Sequence, residues 1–308
     1  MTTFDYVTLD VFTKERFRGN PLAVIADARG LDSETMQAIA REFNYSEITF
    51  VLPPANPDNT AEVRIFTPTM ELPFAGHPNV GTAFALARAG HVFGKPLGDR
   101  LRFEEKAGIV EVSVERDAGG RATGASIQAP QRLTVADGLP VETLGPMVGL
   151  APSRIATGNH APLVLSVALP FLVAELPDLE TLAAAAPDTS LFAAAKHAHG
   201  LDPADGRLSV FLYVRSGNNP LALRARMFAP LDNIPEDPAT GSASAALAAY
   251  LATSLPAALD TVDLTIDQGV EMGRASHIRL RVAMSDGKPA SVRVIGDCVE
   301  VMRGTLAV

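Results

Sequence analysis

Two short stretches of this chain carry the same arrangement of chemically able residues. His77-Pro78-x-x-Gly81-Thr82-Ala83 recurs 160 positions later as Asp237-Pro238-x-x-Gly241-Ser242-Ala243. Each leads into an Ala-rich segment that reads as a helix. Proline is tolerated in a first helical turn, where its missing N–H would be unpaired anyway. Glycine and small residues let a ligand approach the backbone. Free N–H groups and the helix dipole then attract a carboxylate or phosphate. Two such starts facing one cleft would hold a small acid without a metal, with His77 and Asp237 flanking it from opposite sides. Taken singly, Asp237 also fits as a helix cap and His77 as a polar loop residue; the symmetric pairing favours a site.

A third residue stands apart from the repeat. Glu47 lies where a helix ends and the apolar run Ile48-Thr49-Phe50-Val51-Leu52 begins. A carboxylate beside such a strand is partly desolvated, which raises its pKa. That suits a group that takes a proton and later returns it. The competing reading is an exposed Glu at a strand start.

The elements that must position these residues also repeat. Arg64-Ile65-Phe66-Thr67-Pro68 precedes the His77 stretch, and Arg226-Met227-Phe228-Ala229-Pro230 precedes the Asp237 stretch. The intervening loops differ by two residues, which points to an old internal duplication. Arg64 and Arg226 fit a structural pairing as well as acid binding. Strand patterns cover 4–12, 22–25, 47–52, 61–66, 101–104, 109–115 and 125–128 in the first half. In the second they cover 163–169, 171–175, 208–214, 222–228, 262–267, 277–283, 290–295 and 298–303. Helices are expected after the cap Asp32, up to Gly90, over 179–185 and 191–199, and from Gly241 to Leu251. Few long helices and many adjacent strand pairs indicate an α+β chain with antiparallel or mixed sheets. Asp58, Asp202 and Asp205 fall in turns.

Composition narrows the function classes. The chain has 308 residues, 47% hydrophobic and 20% charged, with a net charge of -9. It can bury a substantial core, and it lacks the basic surplus of a nucleic-acid binder. Cys298 is the single cysteine, so internal disulfides, thiolate metal clusters and a two-cysteine mechanism are excluded; it reads as a small buried strand residue. The longest apolar run, 161–176, is broken by Pro162, Pro170 and Glu175, and falls short of a membrane span. The N-terminus carries no signal pattern. The expectation is a cytoplasmic protein without a membrane segment. His197-x-His199 lacks an evident third ligand, so no metal is expected. There is no P-loop or dinucleotide fingerprint.

Five segments together resemble the PhzF-like family, named for a phenazine-biosynthesis isomerase. They are Asn20-Pro21-Leu22-Ala23-Val24, Ser46-Glu47-Ile48-Thr49-Phe50, the stretch Ala75 to Ala83, the stretch Glu236 to Ala243, and Gln268-Gly269-x-x-Met272-Gly273-Arg274. Ala275 departs from the family's usual Pro. The resemblance implies the diaminopimelate epimerase-like α+β fold. That fold has two pseudo-symmetric lobes, each a rolled mixed or antiparallel sheet around a central helix, with the active-site cleft between them. The helices would begin near Gly81 and Gly241. The lobes would be 1–128, completed by a last strand at about 295–308, and 129–294. The resemblance further implies Glu47 as the proton-transfer group, with His77 and Asp237 assisting where epimerase relatives carry two cysteines. It implies carboxylate binding by Gly76, Gly241 and Ser242, and places Ser46 beside the base.

The expected chemistry is a cofactor-independent 1,1-, 1,2- or 1,3-proton shift on a small carboxylic acid, in a homodimeric isomerase. Two alternatives stay open. One is an epimerase or racemase using His77 and Asp237 as opposed bases. The other is a small-acid-binding protein without chemistry.

Overall fold

Met1–Gln128 with Arg293–Val308 form one unit of the chain, and Ala129–Val292 form a second. The computed structural model describes residues 2–199, 208–217, 219–256 and 258–308. Asp202 and Asp205 lie outside those residues. No helix among the described residues is long and apolar enough to cross a membrane.

The first unit begins with β1 (Thr3–Val11) and β2 (Asn20–Ile25), an antiparallel pair. Helix α1 (Ser33–Phe43) follows. The Asp32 carboxylate accepts from Thr35 N at 2.8 Å, and Asn44 ends the helix in the left-handed region at φ 51°. Met36, Ile39 and Ala40 form its buried face against Ala23, Ile25, Ile48 and Phe50. Next come β3 (Glu47–Leu52), β4 (Ala61–Phe66), β5 (Glu71–Leu72) and helix α2 (Gly76–Ala89). A short ribbon of β6 (His91–Val92) and β7 (Lys95–Pro96) leads to β8 (Arg100–Glu105), β9 (Gly108–Arg116) and β10 (Ala122–Gln128).

The second unit holds β11 (Thr134–Asp137), α3 (Val141–Met147), β12 (Leu163–Ser166), β13 (Pro170–Glu175), α4 (Leu179–Ala184) and α5 (Thr189–Ala198). It continues with β14 (Val210–Ser216), β15 (Asn219–Ala229), β16 (Ile234–Asp237), α6 (Gly241–Ala252), β17 (Thr261–Gln268) and β18 (Ser276–Ser285). The last strand, β19 (Lys288–Ala307), starts in this unit and ends in the first.

In the first unit the strands close on themselves. β1 pairs with β2, β2 with β3, β3 with β4, β4 with β8, β8 with β9, β9 with β10, β10 with β19, and β19 with β1. The β2–β3 and β4–β8 pairs are parallel and the others antiparallel. Helix α2 packs against β1, β2, β3, β9 and β10. It is buried on nearly every side, as a helix without a polar stripe must be. Its small residues let the strands come close, and the Thr82 and Thr49 hydroxyls satisfy each other at 2.8 Å.

The second unit repeats the pairing sequence. β12–β13 is antiparallel, β13–β14 parallel, β14–β15 antiparallel, β15–β17 parallel and β17–β18 antiparallel. β11 adds to β12, and β16 adds to β15 as β5 adds to β4. Helix α6 packs against β12, β13, β17 and β18, and six of its alanines are buried. The duplication expected from two pentapeptides therefore extends to strand order and direction.

Two expectations need correction. The runs 290–295 and 298–303 are one strand, β19. Gly296 does not break it; the missing side chain leaves room for the Phe12 ring, which a Cβ would meet at 2.6 Å. Helix α2 starts at Gly76, not near Gly81. Gly81 lies inside the helix, and a Cβ there would meet Leu22 Cδ2 at 2.5 Å and Val11 Cγ2 at 2.9 Å. Its small size serves helix-to-sheet packing, not ligand approach.

Candidate active site

In the first unit, Glu47 and His77 come together. Glu47 is the first residue of β3, beside Leu22 of β2. His77 occupies the first turn of α2, ahead of Pro78. Glu47 Oε2 lies 3.5 Å from His77 Nε2, and both side chains are largely shielded from solvent. Burial drives the imidazole pKa down to about 3, a hydrogen bond with the Pro21 backbone opposing it only in part. The resting pair is thus a neutral imidazole beside a carboxyl group, not an ion pair. Pro21 has no N–H, so the ring must donate to its carbonyl. Nε2 has no hydrogen-bond partner among the described residues, which assigns that donation to Nδ1. The lone pair on Nε2 therefore faces Glu47 Oε2, and one proton placed between them would join the two groups. Ser46 holds the preceding position, its hydroxyl 3.3 Å from Oδ1 of the fully buried Asn20.

In the second unit, Asp237 ends β16 and is 7% exposed. It does not cap α6, whose N-cap is Thr240. The Thr240 hydroxyl donates to Asp237 Oδ2 at 2.5 Å. Gln268, the fully buried last residue of β17, fixes this turn by three hydrogen bonds. Its Oε1 accepts from Thr240 N at 3.0 Å. Its Nε2 donates to the Asp237 carbonyl at 2.8 Å and to Thr240 Oγ1 at 3.0 Å. The donor facing Oε1 settles which end of the amide is oxygen. Gly269 adds to the contact. It sits at φ +72°, and a Cβ there would strike Pro238 O at 2.6 Å. Gly241 and Ser242 open α6.

His77 and Asp237 are equivalent in the repeat but not in conformation. His77 is helical, whereas Asp237 closes a strand and keeps the extended backbone favoured before proline. The Thr240–Gln268 bonds hold the extended form.

The two repeated arginines act alike and stand behind the site residues. Arg64 makes a bidentate pair with Glu71, at 2.8 and 2.7 Å. Arg226 pairs in the same way with Glu236, at 2.8 Å for both bonds. Each guanidinium also lies over the Phe two residues on, at 5.1 Å for Phe66 and 4.8 Å for Phe228. R-x-F is thus a strand-borne stack that fixes the short returning strand, β5 or β16. Arg226 Nη1 also donates to the carbonyls of Leu182 and Ala185 at the end of α4.

Sequence reasoning missed Asn20, Thr240 and Gln268 as supports. The Gln268-Gly269 pair was visible as a motif, but its three bonds depend on strand register. Cys298 is buried in β19. His197 and His199 are exposed near the end of α5. No group of three or more His, Cys, Asp or Glu that could hold a metal occurs among the described residues.

The chain is similar to known proteins over nearly its whole length. A family model described as "Phenazine biosynthesis-like protein" matches residues 9–304. The chain is 40% identical over 314 residues to an uncharacterized isomerase of Mesorhizobium japonicum, covering 99% of both chains. It is 36% identical over 294 residues to the trans-2,3-dihydro-3-hydroxyanthranilate isomerase of Pseudomonas aeruginosa, covering 95% of both. A solved PhzF-family protein of Bacillus anthracis matches with a TM-score of 0.86 over 100% of both chains at 23% identity, which speaks to the fold.

Proposed function

Because the chain belongs to the phenazine biosynthesis-like PhzC-PhzF family and is an isomerase of the diaminopimelate epimerase-like fold, we propose that it moves a proton on a small carboxylic acid, with Glu47 as the acid/base. The observation that supports this most directly is the 3.5 Å approach of Glu47 Oε2 to the lone pair of a neutral, buried His77. A carboxyl group set against an imidazole that stays neutral can release a proton and take it back within one turnover. Asp237 is the group the second unit would contribute to the same chemistry. Gly76, Gly241 and Ser242 would bind the substrate carboxylate, using amide groups at the first turns of α2 and α6. The reaction needs no organic cofactor, because the carboxylate itself can stabilise enolate-like charge once hydrogen-bonded.

The test is solvent deuterium incorporation, with trans-2,3-dihydro-3-hydroxyanthranilate and a set of small unsaturated, amino and hydroxy acids as probes. Glu47→Gln should lose incorporation and turnover while still binding the acid that the wild type converts. Full turnover in that variant would remove Glu47 from the role. Inversion of a stereocentre without movement of a double bond would transfer the chemistry to His77 and Asp237 as opposed bases.

A further inference from the structure

Glu105 is a buried acid that the chemistry above does not use, and its position in the fold matches that of Gln268. Take Arg64 and Arg226 as equivalent. Ala225, one residue before Arg226, pairs with Gln268 in the parallel β15–β17 ladder. In the matching β4–β8 ladder, Ala61 pairs with Phe103 and Glu62 with Glu104. One step further sets Val63, the residue before Arg64, against Glu105. Glu105 is also the last residue of its strand, as Gln268 is.

The surroundings match too. Gln268 holds the turn that follows Asp237. Glu105 faces Asn79, two residues after His77 in the first turn of α2. Asn79 is fully buried, and its Nδ2 donates to the Ala75 carbonyl at 2.9 Å. Among the described residues, its Oδ1 is buried without a hydrogen-bond partner, and so are both carboxyl oxygens of Glu105. An ionised carboxylate has no hydrogen to offer Asn79 Oδ1. A carboxylic acid has one, and it reproduces the donor-plus-acceptor pattern of the Gln268 amide. We propose that Glu105 is the first unit's counterpart of Gln268: a positioning residue that, as a neutral carboxylic acid, donates to Asn79 and fixes the turn carrying His77.

The charge environment agrees. Burial pushes the Glu105 pKa up to about 8; the Asn79 amide N–H, whose donation favours the ionised form, opposes this more weakly. The charged residues on the elements around it are engaged elsewhere or do not contribute to the shift. Glu104 accepts from Ala55 N, Asn56 N and Asn59 Nδ2. Lys106 and Arg64 are bound to Glu71. Neither Glu62 on β4 nor Glu111 on β9 contributes to the shift, and His77 on α2 is neutral. The inference rests on reading His77 as a site residue, but its test does not need the substrate.

The experiment compares wild type, Glu105→Gln and Glu105→Leu in the full chain. An acid whose folded pKa lies above its unfolded value of 4.5 stabilises below that value and loses the effect as pH rises through about 8. The melting temperature of the wild type relative to Glu105→Gln should therefore fall steadily between about pH 4.5 and pH 8. The ring-nitrogen NMR shifts of His77, assigned with His77→Asn, should be unchanged in Glu105→Gln and moved in Glu105→Leu. A pH-independent difference in melting temperature, or His77 shifts that Glu105→Leu leaves in place, would overturn the proposal. If Glu105→Leu does not fold, Asn79→Leu serves for the NMR arm, with the same two outcomes. Loss of Glu47 as the acid/base would show in deuterium exchange alone and leave these readouts standing.

Discussion

Arg226 and Glu236 form a bidentate ion pair immediately ahead of Asp237, with both nitrogen–oxygen distances at 2.8 Å. Arg226 is 7% exposed, and its guanidinium also satisfies carbonyls at the end of α4. Removing one partner of such a pair leaves the other charge poorly solvated, a loss of about 3–5 kcal/mol. Arg226→Met should lower the free energy of urea unfolding by about that much. Arg64→Met should do less harm, because Glu71 keeps Lys106 at 2.6 Å. Equal losses in the two variants would contradict the distinction.

His77 gives the stability a defined dependence on pH. Its folded pKa lies near 3 and its unfolded value is 6.5. Between these values the unfolded chain binds a proton that the folded chain refuses, so stability rises with pH across that window. The neutral-histidine contribution is complete above about pH 6.5 and disappears as pH falls toward 3. Urea midpoints of wild type and His77→Asn, compared from pH 3 to 8, should diverge by an amount that varies only inside that window.

Gly81→Ala tests the packing of α2. In an open helix this substitution gains up to about 1 kcal/mol. Here Leu22 and Val11 are fully buried around the site, and a Cβ would lie 2.5 and 2.9 Å from their methyl groups. Overpacking costs about 1–3 kcal/mol, so a net loss of stability is expected in thermal unfolding. A stabilised variant would show that the strands around α2 yield more readily than close packing implies.

Cys298 should be inert in the folded protein. Burial, reinforced by the neighbouring Asp297, pushes the thiol well above its ordinary range, and the thiolate is the reactive form. A thiol reagent such as 5,5′-dithiobis(2-nitrobenzoate) should label it at the rate of unfolding. Rapid labelling under native conditions would contradict its placement in β19.

Much of the fold was legible in the residues, and the reason is particular. R-x-F-x-P recurs because each arginine needs the same strand, the same stacked Phe and a returning acidic residue. The strand and helix patterns of the alternating segments carried through with small shifts at their ends. What local pattern could not supply was register. Gln268 and Glu105 become equivalent only when β17 is laid beside β15 and β8 beside β4. The start of α2 was misplaced because Gly81 reads as a helix-start glycine, while its true constraint comes from Leu22 and Val11, about sixty and seventy positions away along the chain. Of the candidate site, the structure brings Glu47 and His77 together, although no spacing rule links them. Their encounter depends on α2 packing against the closed sheet to which β3 belongs.

The twenty-residue β19 has a consequence for how the protein is made. Both β1 and β10, near the two ends of the first unit's own continuous segment, take their remaining partner from it. A ribosome delivers Met1–Gln128 long before it reaches Arg293. For that interval the nascent unit exposes two bare strand edges, the surface from which strand-to-strand aggregation starts. Closure of the first unit's sheet must then wait for the final strand, and yield in the cell should respond to chaperone supply more sharply than the stability of the finished molecule suggests.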